Sequence, residues 1–294
     1  MRVRKAIIPI AGKGTRFLPA TKQVAKEILP IINVPMIHYV VQEAVDSGID
    51  QIIFVTSSGK ESIENYFDRN LELENFLEKN NKLKELELIR KIGNLVSVTS
   101  VRQKEQLGLG HAVLMAKDMV GSEPFAVLLG DDLVINDVPA TKQLIDVSMK
   151  NSQSPVIGVM EVPKEETSKY GIVRGEKVSE RTLRMQGMVE KPKPEVAPTN
   201  LATPGRYILT PEIFEILETI PRGAGNEYQL TDAINVLCQR REVFAHQFEG
   251  ERFDTGSIAG YLDATIDFAL KDPANRDKLV ESIQKRFKKY GIKL

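Results

Sequence analysis

The sequence predicts an α/β fold built on a mixed, mostly parallel central sheet flanked by helices. Three observations point there. Apolar runs at 5–10, 51–56, 95–101 and 125–129 are continuous rather than alternating, as in strands buried on both faces. Helix-period segments at 36–47, around 59–70 and at 111–119 lie between them, and strands that alternate with helices form parallel units. Two loops rich in charge and glycine follow directly on such strands, where ligands of these sheets bind.

The first strand, Ala6-Ile7-Ile8-Pro9-Ile10, runs into Ala11-Gly12-Lys13-Gly14-Thr15-Arg16, and Lys26 follows ten residues after Arg16. Glycines let backbone N–H groups close on an anion, and the Arg and Lys neutralise it, so the loop suits a polyphosphate. It lacks the Walker spacing Gly-x-x-x-x-Gly-Lys-Ser/Thr. Phe17 occupies the third glycine position of the dinucleotide fingerprint. The next distinctive segment, 71–91, is charged and leucine-spaced and reads as one surface helix inserted into the sheet domain. The strand Ala126-Val127-Leu128-Leu129 then ends in Gly130-Asp131-Asp132. Magnesium prefers one or two protein carboxylates and completes its shell with phosphate and water, so a carboxylate facing the phosphate loop fits it. Adjacent residues of an extended segment diverge, so Asp131 and Asp132 should point opposite ways; the alternative is a pair that caps the turn.

After Pro155 the strands shorten to 156–162, 171–175, 183–190 and 201–209, and read as a smaller mixed-sheet region. Helical segments follow at 211–218, 228–240, 257–270 and 275–290. With no repeat and no low-complexity linker, the expectation is one domain over 1–294: a nucleotide-binding half (1–150), a half for the second substrate (151–256) and C-terminal helices (257–294).

Composition sets outer limits. Lysine plus arginine equals aspartate plus glutamate at 40 each, which argues against nucleic acid or an anionic membrane as partner. No apolar run would span a bilayer, and the first strand starts without a secretory h-region, so the expected location is the cytoplasm. The single cysteine, Cys238, excludes an internal disulfide and cysteine-based zinc, and reads as a buried packing residue. His38, His111 and His246 read as ordinary helix and strand residues, and no Ser/His/Asp arrangement stands out.

At Gly12-Lys13-Gly14-Thr15-Arg16-Phe17-Leu18-Pro19-Ala20-Thr21-Lys22, followed by Lys26-Glu27, the chain resembles the sugar-1-phosphate nucleotidylyltransferases. The Phe-Leu-Pro-Ala-Thr-Lys extension is most similar to the bacterial branch acting on UTP and glucose 1-phosphate. Further family-like stretches follow in order along almost the whole chain. The resemblance implies a Rossmann-like sheet with a sugar-binding region. It also implies transfer of UMP from UTP to glucose 1-phosphate, giving UDP-glucose and pyrophosphate with Mg2+, in a homo-oligomer (dimer or tetramer). It assigns Arg16 to the leaving pyrophosphate, Lys26 to the triphosphate and Asp131 to the metal. Ala11, Gly12, Gly14 and Thr15 would line the nucleotide, and Gln103 and Gly108 would read the base, an amide being able to match the donor–acceptor edge of uracil.

Three later segments carry the rest of the resemblance. In Met188-Val189-Glu190-Lys191-Pro192, the family's glutamate takes sugar hydroxyls and its lysine the sugar phosphate. Strand alternation lets Glu190 and Lys191 divide these tasks only at a twist or bulge. Gly171 would leave room for a hexose, and the segments 204–207 and 226–232 would lie on the sugar side. Asp254, in Phe253-Asp254-Thr255-Gly256-Ser257, is either a second metal ligand or a helix N-cap. One departure is Ala25, where the family commonly has proline before the lysine; it loosens the backbone there. The chemistry needs no general base, because the attacking phosphate is already anionic. Two alternatives remain at this point: a dTTP-dependent enzyme on the same sugar phosphate, and a non-catalytic nucleotide-sugar binder.

Overall fold

The computed structural model describes residues 2–293. The first strands are β1 (Lys5–Pro9), the short pair β2 (Pro30–Ile31) and β3 (Val34–Pro35), β4 (Gln51–Thr56), β5 (Ser97–Arg102), β6 (Phe125–Leu128) and β7 (Asp132–Ile135). Helices α1 (Met36–Asp46), α2 (Glu61–Phe67), α3 (Leu71–Lys79), α4 (Leu83–Gly93), α5 (Leu109–Met115) and α6 (Lys117–Val120) lie between them, and α7 (Ala140–Lys150) follows β7. Next come β8 (Val156–Glu161), β9 (Gly171–Lys177), β10 (Thr182–Glu190), β11 (Leu201–Thr203) and β12 (Arg206–Leu209). The chain ends with α8 (Glu212–Thr219), α9 (Leu230–Arg240), β13 (Phe244–Gln247), β14 (Glu251–Asp254), α10 (Ile258–Lys271) and α11 (Arg276–Tyr290).

Ten strands form one sheet in the order β11-β9-β10-β13-β8-β12-β6-β1-β4-β5. The segment β6-β1-β4-β5 is parallel. The chain leaves β1 toward β4 on one side and returns to β6 on the other, so a crevice opens at the carboxyl ends of β1 and β6. The expectation of a mostly parallel sheet holds there, and beyond it only the β8–β13 pair is parallel. β12 is antiparallel to β6 and β8, β10 to β9 and β13, and β11 to β9 and β8. Because β11 pairs with both β9 and β8, strands β8, β11, β9, β10 and β13 close into a small barrel continuous with the main sheet.

The continuous apolar runs are explained by two cores, one per sheet face. Ala6 and Ile8, Ile52 and Phe54, and Ala126 and Leu128 pack with residues of α1 and α7; Ile7, Ile53, Val55, Phe125 and Val127 pack with α5, α8 and α9. The Ile, Val, Leu and Phe side chains among these contribute roughly 1.5–3 kcal/mol each when fully buried. Cys238 packs at the edge of the second core but is only half-buried, a correction to full burial, and its thiol is pushed up to about 11 by desolvation. The single helix expected over 71–91 is two, broken where Asn81 turns to φ 56° and Lys82 N–H bonds back to Leu77 O. Glu74 ties the pair together through Arg69 and Arg90, whose hydrogen bonds hold its carboxyl down at about 2. Among the described residues, no helix is long and apolar enough to cross a membrane.

Candidate active site

The loop after β1 turns at Gly14 (φ 65°), a left-handed conformation that glycine adopts without strain. A Cβ there would stand 3.2 Å from Lys26 Cβ and 3.3 Å from Thr21 Cγ2, and Thr21 Oγ1 donates to Gly14 O at 2.7 Å. Gly14, Thr15, Arg16, Lys26, Asp131 and Gly256 line a pocket of ≈ 230 Å³. Lys26 Nζ lies 2.5 Å from Asp131 Oδ2 across it, and Arg16 Nη1 donates to Gly256 O at 3.3 Å. Burial draws the Asp131 carboxyl upward, but the charge and hydrogen bond of Lys26 outweigh it and hold the group below its ordinary value. Lys26 is likewise drawn down by burial and raised, on balance, by Asp131 and Glu27.

The backbone ahead of Lys26 is not loose. Ala25 is buried with φ −59°, inside proline's own range, and the neighbouring Glu27 is anchored in the core by Lys60 at 2.6 Å. Lys26 therefore faces the pocket while Glu27 faces inward.

Contrary to the expectation that Asp131 and Asp132 point opposite ways, Asp131 sits in the turn before β7 rather than on the strand, and both line the same cleft. Asp132 is buried against Arg252, whose Nε lies 2.5 Å from Asp132 Oδ1 and whose Nη1 donates to the Tyr170 hydroxyl at 2.8 Å. The β7–β14 pair sets Asp254 opposite Asp132 and so delivers Asp254 to the same place. Asp254 is not the helix cap: Ser257 Oγ accepts from Gly260 N–H at the start of α10. Instead Asp254 Oδ1 accepts from Gly256 N–H at 3.1 Å, and a Cβ at Gly256 would overlap Asp131 Oδ2 and lie 3.2 Å from Asp254 Oδ1. Two carboxylates thus converge over one glycine beside the pocket that Arg16 and Lys26 line. Hard oxygen donors in that number fit Mg2+, which draws its other ligands from phosphate and water. No group of three or more His, Cys, Asp or Glu suited to a metal occurs among the described residues.

The pocket opens into a cleft of ≈ 630 Å³ that shares Arg16 and Asp131 and reaches Asp254, Gly171, Glu190 and Lys191. Glu190 ends β10, where Thr231 Oγ1 donates to its Oε2 at 2.6 Å. Lys191 takes φ 45°, and this left-handed step is the twist that breaks strand alternation; its Nζ lies 3.2 Å from Glu190 Oε1. One turn beyond Thr231, Asn235 grips Met188 N–H and C=O at 2.7 and 2.8 Å, completing the free edge of β10. At Gly171 a Cβ would meet Met188 Cε and Thr203 Cγ2 within 3.0 Å. Of the expected sugar-side segment 204–207, Pro204 and Tyr207 line the cleft, whereas Arg206 points away into the core.

The residues expected at the nucleoside lie elsewhere on the loop's surroundings. Gly12 lines a separate hollow with Lys13 and Lys22. Ala11 is buried, its carbonyl accepting from Ser57 Oγ and from Gln106 Nε2. Gln103 is buried too, its Nε2 3.2 Å from Gly108 O and 3.0 Å from His111 Nδ1, and burial lowers the His111 pKa. Gly108 (φ 100°) would drive a Cβ to 2.7 Å from that of Glu227. Sequence reasoning passed over Arg252 and Gln106. Arg252 was findable, because it stands two residues before Asp254 on one strand and so shares its face; Gln106 carried no comparable signal.

A family model described as nucleotidyl transferase matches residues 5–270. The UTP–glucose-1-phosphate uridylyltransferase of Staphylococcus epidermidis is 52% identical over 272 residues, 92% of this chain and 94% of that one. A UDP-glucose pyrophosphorylase complexed with UDP-glucose superposes with a TM-score of 0.84 at 43% identity, covering 92% of this chain and 100% of that one. A UTP-bound enzyme of the same kind from Acinetobacter baumannii gives 0.87 at 44% identity, covering 96% and 99%. Likeness of this extent, in sequence and in backbone alike, means that the chain belongs to the nucleotidyl transferase family.

Proposed function

We propose that this chain transfers UMP from UTP to glucose 1-phosphate, releasing UDP-glucose and pyrophosphate. The observation that carries the reading is one continuous cleft with cations at both ends, Arg16 and Lys26 at one and Lys191 at the other, and converging carboxylates between them. That is the charge pattern required to bring two polyanions together. Its relatives are named for this reaction, and two of the solved neighbours hold UDP-glucose and UTP respectively.

In this reading residues 1–150 serve the nucleotide and 151–256 the sugar. Gly14, Thr15 and Arg16 take the leaving pyrophosphate, and Lys26 neutralises the triphosphate. Lys191 orients the sugar phosphate for in-line attack on the α-phosphorus, while Glu190, fixed by Thr231, receives sugar hydroxyls. Positioning and charge stabilisation do the catalysis, as phosphoryl chemistry demands. Asp131 and Asp254 would hold Mg2+, which when bound neutralises charge on the α-phosphate. Gln103 and Gly108 would read the base, with Ala11 and Gly12 lining the nucleoside from the other side and Gln106 holding the Ala11 carbonyl. A UTP-consuming reaction and a single unpaired thiol suit the cytoplasm. The exposed α10 stripe of Ile258, Leu262, Ile266 and Leu270 supports a homo-oligomer, which light scattering of the purified protein would test.

The test follows pyrophosphate release with Mg2+, glucose 1-phosphate and either UTP or dTTP. Release with UTP far above dTTP, abolished by EDTA, is expected. A preference for dTTP would overturn the base assignment, and no release from either would overturn the reaction.

A further inference from the structure

Arg206 is the largest fully buried side chain, 1% exposed, and it lies on the side of β12 away from the cleft. Its Nε lies 3.1 Å from both Glu43 carboxylate oxygens, and its Nη2 is 2.7 Å from Glu43 Oε2. The same guanidinium donates from Nη2 to Asp132 O at 2.5 Å and from Nη1 to Leu129 O at 3.4 Å. Glu43 is completed by the Thr141 N–H and hydroxyl at 3.1 and 2.6 Å. On β8, Gly158 makes the room, since a Cβ there would stand 3.1 Å from Arg206 Cβ.

The two carbonyls that Arg206 holds flank Gly130-Asp131. β6 stops at Leu128 and β7 starts at Asp132, so the intervening residues lie outside either ladder. Their backbone groups are paired instead by Gly205 O, which accepts from Leu129 N–H, by Thr255 Oγ1, which donates to Asp131 O, and by Arg206. A buried ion pair is a poor way to add stability, because desolvating both charges offsets their attraction. A rigid five-donor fork aimed at two backbone carbonyls is a good way to hold a turn.

We infer that Arg206, oriented by Glu43, is a positioning residue that fixes the turn presenting Asp131 to the phosphate pocket. The inference rests on the reading of Asp131 as the metal-facing carboxylate. Arg206 touches no substrate and acts only through the backbone.

Two variants separate positioning from folding. Arg206→Lys keeps a charge beside Glu43 but loses the fork. The double variant Glu43→Leu/Arg206→Met removes both charges, an exchange a fold commonly tolerates. Melting temperature, kcat, KM for each substrate and the affinity of Mn2+ with UTP, read by water-proton relaxation, are measured for both. The relaxation signal reports the metal site independently of turnover. The expected result is a folded protein, about 10- to 100-fold lower kcat and about tenfold weaker Mn2+ binding, the usual effect of losing a group behind a metal ligand. KM for glucose 1-phosphate should stay within about twofold. A folded variant with native kcat and native Mn2+ affinity would overturn the inference, as would failure of both variants to fold, which makes the pair a requirement of the fold alone. Asp131→Asn run alongside distinguishes the two layers. If it keeps Mn2+ binding, the reading of Asp131 fails. If it loses binding while the Arg206 variants keep it, only the positioning role fails.

Discussion

One methyl group at Gly256 tests the proposed phosphate end of the cleft. The backbone there is not left-handed, so alanine adds no conformational strain. Its Cβ, however, would overlap Asp131 Oδ2 and stand 3.1 Å from Asp131 Cγ and 3.2 Å from Asp254 Oδ1. An unstrained contact needs about 3.5 Å, so the Asp131 carboxylate must swing by roughly an ångström. A misplacement of that size costs about 100-fold in rate, or ~2.7 kcal/mol. The bonds that Gly256 makes through its own N–H and C=O, to Asp254 and from Arg16, survive the change. We therefore expect Gly256→Ala to lower kcat/KM about 100-fold in a pyrophosphate-release assay, with a higher Mg2+ requirement and a near-native melting temperature. Wild-type kcat/KM would refute the convergence of Asp131 and Asp254 on one ion. So would a loss of activity matched by a collapse in melting temperature, because the defect would then belong to the fold.

Lys191 offers a comparison of backbone and charge. Its left-handed φ costs a lysine roughly 1–2 kcal/mol, which glycine would not incur. Lys191→Gly should therefore melt at or above Lys191→Ala, while both lose about 100- to 1000-fold in kcat for want of the ammonium. A glycine variant with native turnover would assign Lys191 a backbone role only. Ala25→Pro, at φ −59°, should stabilise by about 0.4–1 kcal/mol through the unfolded chain, about 1–2 °C by calorimetry at this length. A drop in melting temperature would show that the ring does not fit. His246 is pushed down to about 4 by burial, with Arg181 and Lys150 adding to it. Folding disfavours its charged form, so its share of stability is complete above pH 6.5 and declines as pH falls toward 4. Unfolding curves across that window should be flatter for His246→Gln, and an unchanged slope would remove His246 from the acid sensitivity.

What the sequence made legible follows the physics of its patterns. Ile7, Ile8, Ile53 and Phe54 announce strands covered on both faces, and two cores receive them. The adjacency of Glu190 and Lys191 required a backbone irregularity that φ 45° at Lys191 supplies, whereas alternation misled at Asp131 and Asp132, because Asp131 lies in a turn and both line one cleft. Non-local pairing was not legible. Strands β7 and β14 are four residues each, and Asp132, Arg252 and Asp254 dilute their apolar signal. The expectation of a mostly parallel sheet failed for the same reason, because β11, β12 and β13 are too short to show a period.

Those unreadable short strands are nevertheless what makes the site. Asp131 and Asp254 lie far apart in sequence, and no spacing rule joins them. The pairing of Asp132 with Asp254 does so, and its register matters, since a slip of one residue would turn Asp254 to the opposite face. Arg206 illustrates the converse. Read beside Tyr207, it resembles a cleft residue, but alternation along β12 sends one of the two to each side, and the guanidinium goes to Glu43. The charged residues of this chain thus divide into those that line the cleft from outside the strands, such as Arg16, Lys26 and Asp131, and those such as Arg206 that hold backbone. Local sequence reveals the first group through its loops, whereas the second appears only when the strand order is known.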